Sequence, residues 1–213
     1  MRSLVLALLL AVVLPLTGSA TPLTVVMSGA WDVVDDAGNV LGGAVVPGTA
    51  FTATMSYDDT APPTYSDAVT ANYDVGALPF SFTLVTGGFT FTWLAGGFTS
   101  LDLTNSLFDG VAGFFQDFSG APSLPPMGLA YASPSLDDPS GTALSSTALP
   151  PLPWSLAAWP TAALGFFFDI DDANPLTYVD LQGSLTSLTV VPEPGSSVLL
   201  VMGLVLLAAG ARR

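Results

Sequence analysis

Residue types that most proteins use for catalysis and for charge pairing are missing from this chain. It has no cysteine and no histidine, and lysine and arginine together number three. Those three are Arg2, Arg212 and Arg213, so nothing between Thr21 and Pro192 carries a positive side-chain charge. Without cysteine, neither disulfides nor thiolate metal sites hold the fold, and stability rests on buried area. Without histidine, lysine or cysteine, the usual nucleophile and base pairings of covalent catalysis cannot be assembled. Nucleic acid is excluded as a partner, because binding it begins with cationic neutralisation of phosphates. Anionic lipid headgroups likewise find no Lys or Arg on the body. Glutamate is nearly absent too: Glu193 stands alone, and every other acidic residue is aspartate. Aspartate competes with the backbone and favours turns, so this charged set suits strands joined by turns and argues against a helical body.

The first twenty residues are laid out as a secretory signal. Arg2 precedes an apolar run from Leu4 to Leu16, and the small residues Gly18, Ser19 and Ala20 follow. Cleavage is expected after Ala20. The run is short for a membrane span, which favours a cleaved signal over an uncleaved anchor. Residues 21–190 then form one domain of ordinary size, and 191–213 a separate tail.

Period-two alternation is clearest in "TAFTATMSYDDT", where Phe51, Ala53, Met55 and Tyr57 alternate with Thr52, Thr54, Ser56 and Asp58. It recurs in "FSFTLVTGGFTFTW", which reads as a hairpin turning at Thr86, Gly87 and Gly88. Further strands are expected at 23–27, 40–46, 101–103, 111–118, 128–132, 165–170 and 178–190. The Pro-rich segment around Trp154 and Trp159 is expected to be a loop, since Pro153 and Pro160 leave little room for a helix. The expected fold is all-β: an antiparallel β-sandwich, jelly-roll-like or Greek-key, flanked by an N-terminal signal helix and a single C-terminal transmembrane helix. In "FFQDFSG" and "GFFFDID", adjacent Phe residues must point to opposite faces of a strand. Some rings therefore leave the core, to form a sugar-stacking surface, an interface or a covered outer face.

No catalytic residue is assigned and no enzymatic activity is expected. Paired carboxylates for glycoside hydrolysis could be drawn from Asp58, Asp59, Asp137, Asp138 and Asp169, but carboxylates in turns of an acidic domain are ordinarily solvated charge. No cofactor is expected. The candidate metal ligands are Asp169, Asp171 and Asp172 in "FDIDDANP", whose hard oxygens suit Ca²⁺; a turn between two strands is the favoured reading, since turn chemistry alone explains every one of these residues.

The tail is the most specific feature. "VPEPGSSVLLVMGLVLLAAGARR" places Pro192, Glu193 and Pro194 before an apolar stretch from about Val198 to Ala211 and a basic end, Arg212 and Arg213. The two prolines disfavour helix and keep the motif extended, in the form a protease binds. The apolar stretch, about 14 to 17 residues and so roughly 21 to 25 Å long as a helix at the standard rise, falls slightly short of the usual bilayer requirement. The two arginines supply the cytoplasmic charge that stops transfer. This arrangement resembles the C-terminal sorting signal of the PEP-CTERM family of exported bacterial proteins. The resemblance implies an inner-membrane precursor, cleavage at the motif by an exosortase, a membrane protease, and delivery to the cell surface or extracellular matrix. It also implies association with exopolysaccharide and biofilm. A carbohydrate- or Ca²⁺-binding module and a permanently tail-anchored periplasmic protein are the alternatives.

Overall fold

The structure is a computed structural model. It describes residues 22–58, 60–77, 79–121, 124, 127–149, 155–170 and 177–192. The chain divides into two units, Pro22–Val191 and a second made of Met1–Thr21 with Pro192–Arg213. The expected signal helix and tail helix lie outside the described residues; among those described, no helix is long and apolar enough to cross a membrane.

The body is all-β. Its strands are β1 (Leu23–Asp36), β2 (Ala50–Tyr57), β3 (Tyr65–Ser66), β4 (Thr70–Tyr73), β5 (Ser81–Thr86), β6 (Phe89–Trp93), β7 (Thr99–Asn105), β8 (Asp109–Gln116), β9 (Phe118–Ala121), β10 (Ala130–Asp138), β11 (Thr161–Asp169) and β12 (Tyr178–Pro192). They form one sheet in the order β3-β4-β7-β8-β10-β11-β12-β1-β2-β5-β6-β9. The hairpins β1–β2, β3–β4, β5–β6 and β7–β8 are all antiparallel and fall alternately on the two halves of that order. The sheet ends on short strands at both edges, β3 and β9, which limits the unpaired edge open to other chains.

The sheet curls until its halves face each other. Phe82 on β5 meets Phe115 on β8 with ring centroids 5.3 Å apart, and Phe91 on β6 meets Phe166 and Phe168 on β11 at 4.7 and 5.4 Å. None of these strands are neighbours in the sheet. Two layers thus enclose one core as in a sandwich, but both belong to a single continuous sheet. Alternation fills the core: Phe51, Ala53, Met55 and Tyr57 are buried along β2, as are Leu164, Phe166 and Phe168 along β11. Trp31 is also buried, and its indole N–H donates to the Thr86 hydroxyl at 2.8 Å.

Two junctions make the curl possible. At the first, Asp117 alone separates β8 from β9, with φ 68°. Its carbonyl accepts from Leu94 N–H at 2.8 Å after β6, and its N–H donates to the Ala130 carbonyl at 3.0 Å on β10. The chain therefore turns a corner between layers where one strand was expected over 111–118; Asp is among the few non-glycine residues that tolerate this conformation. At the second junction β12 lies beside β1. A Cβ on Gly29 would collide with the Ser184 carbonyl, and one on Gly183 would sit 2.5 Å from the Ala30 carbonyl. Both positions admit only glycine at this spacing.

The expected strand at 40–46 is instead a run of turns. Asp36 explains it, since its carboxylate accepts from Val40 N–H at 2.6 Å and Leu41 N–H at 3.0 Å, and Gly42 and Gly43 follow with φ of 59° and 74°. The Pro-rich segment contributes one 3-10 turn, Leu156–Ala158, and buries Trp159; Trp154 lies outside the described residues.

Phe166 touches the rings of Phe91, Phe118 and Phe168 and is 1% exposed. Phe166→Ala is expected to cost about 3–5 kcal/mol in urea unfolding, as large core truncations do. A loss below about 1 kcal/mol would mean that the layers do not face each other here.

Candidate functional site

The chain ends are positioned by β1 and β12. Tyr178 O–H donates to Asp35, Ser184 O–H to Asp32, and Thr186 O–H to the Ser28 carbonyl. Numbers fall on β1 as they rise on β12, so the strands are antiparallel, and continuing that register brings Leu23 alongside the end of β12. The start of the body, which directly follows Thr21, therefore adjoins the end of β12. No linker separates the last strand from the Pro-Glu-Pro tripeptide. Glu193, Pro194, Arg212, Arg213 and Ala20 lie outside the described residues, as does the side chain of Pro192.

Asp58, Asp67, Asp109 and Asp138 are held by neutral donors. Asp58 accepts from the N–H and O–H of Thr60 at 2.8 and 2.6 Å. Asp67 accepts from Val69 and Thr70 N–H at 2.9 and 2.7 Å; these two bonds, with the Tyr65 and Thr70 hydroxyls, lower its pKa to about 2. Asp138, 3% exposed, accepts from the O–H and N–H of Ser140, from those of Thr142 and from Ala143 N–H. The Ser140 hydroxyl and the Thr142 N–H are the chief reasons why its carboxyl lies well below the usual carboxylate range. Asp109, directly opposite Asp138 in the β8–β10 pairing, is fully buried, and its Oδ2 accepts from Leu144 N–H at 2.6 Å. Of the carboxylates considered for acid–base chemistry, Asp137 and Asp138 are adjacent on β10 but alternate in burial, exposed and buried. Asp59 lies outside the described residues. Of the three candidate calcium ligands, Asp169 accepts from the Thr177 hydroxyl at 3.1 Å, while Asp171 and Asp172 are outside the described residues. Among the described residues no group of three or more acidic side chains gathers to hold a metal.

Adjacent Phe residues do point to opposite faces. Phe115, Phe166 and Phe168 are buried, whereas Phe114 and Phe167 are half-buried on the outer face. There they join a five-ring row, Phe98–Phe114–Tyr131–Phe167–Tyr178, with centroid spacings of 6.2, 5.1, 5.2 and 6.0 Å. Tyr131, Phe167 and Tyr178 are inclined to one another by only 21° and 18°. Pairs this close and this parallel are offset stacks. Beside them a trough of about 290 Å³ crosses β10, β11 and β12. Its floor lies at Gly165, where a Cβ would come within 2.6 Å of Ser133 Oγ. The register places Ser133, Gly165 and Gln182 side by side, and Tyr131, Phe167 and Asp180 likewise. Sequence reasoning foresaw outward rings but not this trough, because its polar members come from three strands and form no local motif.

The outer face of the other layer differs. Val26, Thr54, Thr83, Thr92 and Ser119 fall in one cross-strand row, and Ser28, Thr52, Val85, Thr90 and Ala121 in the next. These rows contain no ionisable group.

With this geometry in place, the tail decides the class. Residues 190–213 match the family model of the PEP-CTERM protein-sorting motif. These residues thus carry a PEP-CTERM sorting signal, which implies export and membrane-linked processing by exosortase, a membrane enzyme, in bacteria. No curated protein and no solved structure matches it.

Asp138 ties acid stability to its loop. A carboxyl lowered in the folded state contributes fully above the unfolded value, about pH 4, and its contribution is lost as pH falls toward the folded value. The urea midpoint of the native protein is therefore expected to fall further between about pH 5 and pH 2.5 than that of Asp138→Asn, whose amide does not titrate. Parallel pH profiles would remove this role from Asp138.

Proposed function

We propose that this is a non-enzymatic component of the bacterial cell surface or extracellular matrix. It is secreted through the general export pathway, loses its leader after Ala20, and is held transiently at the inner membrane by residues 191–213. Cleavage at Pro192-Glu193-Pro194 frees it to the exterior, where it associates with exopolysaccharide. The observation that carries this reading is the sorting motif at 190–213, beginning in the final residues of β12. Five residues, 193–197, separate β12 from the start of the apolar stretch. Fully extended, they span at most about 17 Å, so the precursor's body stays close to the bilayer that holds the protease.

The non-enzymatic assignment draws on the composition of the body, which offers no His, Lys or Cys, and on aspartates engaged one by one in turns and caps. The sixteen aspartates of the body, with no Lys, Arg or His to offset them, keep such a protein soluble after release.

Glu193→Ala tests the processing step. The full-length variant is expected to accumulate as inner-membrane precursor, with the mature form greatly reduced, in immunoblots of membrane and extracellular fractions. Normal yields of mature protein from the variant would separate the motif from processing.

A further inference from the structure

We propose that the trough across β10, β11 and β12 binds an uncharged saccharide. Its walls and floor combine the two elements that small-ligand sites share: concavity, and a few polar groups converging on one space. Ser133 supplies a hydroxyl, Asp180 a carboxylate and Gln182 an amide that both donates and accepts. Gln182 donates to Asp180 at 3.3 Å, so the pair already presents an ordered donor and acceptor. Tyr131 and Phe167 form the apolar wall, held upright by their stacking at 5.2 Å. Gly165 sets the depth, since any side chain there would occupy the floor.

Charge selects the ligand. The body contains no Lys, Arg or His, so a phosphate, sulfate or uronate in this trough would meet Asp180 with no cationic group to compensate. A hydrophobic peptide would bury Ser133, Asp180 and Gln182 against groups unable to hydrogen-bond them. A neutral sugar satisfies all of these: its hydroxyls donate to Asp180, exchange bonds with Gln182 and Ser133, and its ring carbons rest against the aromatic wall. The trough's volume, about 290 Å³, lies at the small end of ligand pockets and suits one or two sugar units of a longer chain.

The inference is independent of the sorting signal, and its test is chosen accordingly. The full-length protein, extracted in a mild non-ionic detergent, is run through native gels containing dextran, laminarin or hydroxyethylcellulose, with alginate as the anionic comparison. Retardation is expected in at least one neutral polymer and not in alginate, with the apparent affinity falling about tenfold in Asp180→Ala and in Gln182→Ala. Both substitutions remove outward-facing side chains, and an unchanged urea midpoint checks that the fold persists. Migration unaffected by all three neutral polymers would overturn the proposal. So would retardation that both variants retain, or retardation confined to alginate with Ca²⁺.

Discussion

The pairing of the last strand with the first is the constraint on which the remaining architecture depends. β12 lies between β11 and β1, so it joins the half of the sheet containing β7, β8, β10 and β11 to the half containing β2, β5, β6 and β9. Gly29 and Gly183 permit that approach, since a Cβ at either would strike the facing backbone. Until β12 is in place, the layers have no shared ladder on this side and the rings of Phe91 and Phe166 have no fixed opposition. Closure thus waits for nearly the whole chain, and contacts so distant in sequence are slow to form. The same pairing sets the beginning and end of the body side by side, which suits the proposed precursor, with a leader before the body and the sorting signal after it.

A second constraint is chemical. A body with no cation cannot form an ion pair, so each carboxylate that needs a partner takes it from a backbone N–H or a hydroxyl. Asp36, Asp58, Asp67 and Asp138 all do this, and each organises the turn that follows it. Ser140 and Thr142 fill the role that arginine or lysine plays elsewhere. The absence of cations thus shapes the loops and narrows the ligands that the outer trough can accept.

These features were unevenly legible in the sequence. Local alternation revealed β2 and the β5–β6 hairpin, because Phe51 to Tyr57 and Phe80 to Trp93 each report one face at a time. Adjacent phenylalanines revealed that rings leave the core, which Phe114 and Phe167 do. The run 40–46 misled, since valines and a leucine imitate a strand while Asp36 and two left-handed glycines make turns. The corner at Asp117 was invisible because aspartate there is as compatible with a strand end as with a bend. The continuous sheet was hidden for a different reason: a period-two pattern identifies a buried face but not the strand that will pair beside it. The trough was hidden likewise, since Ser133, Gly165 and Gln182 meet only through register. The sorting motif, by contrast, is contiguous, and its three parts are legible in order.

Sheet and tail together describe a molecule whose body is closed by its last strand and whose destination is written immediately after it. Intact mass of the extracellular protein tests this account most directly. The account predicts a chain that begins near Thr21 and ends within or just after Pro192-Glu193-Pro194. An extracellular form that still carries Arg212 and Arg213 would contradict it.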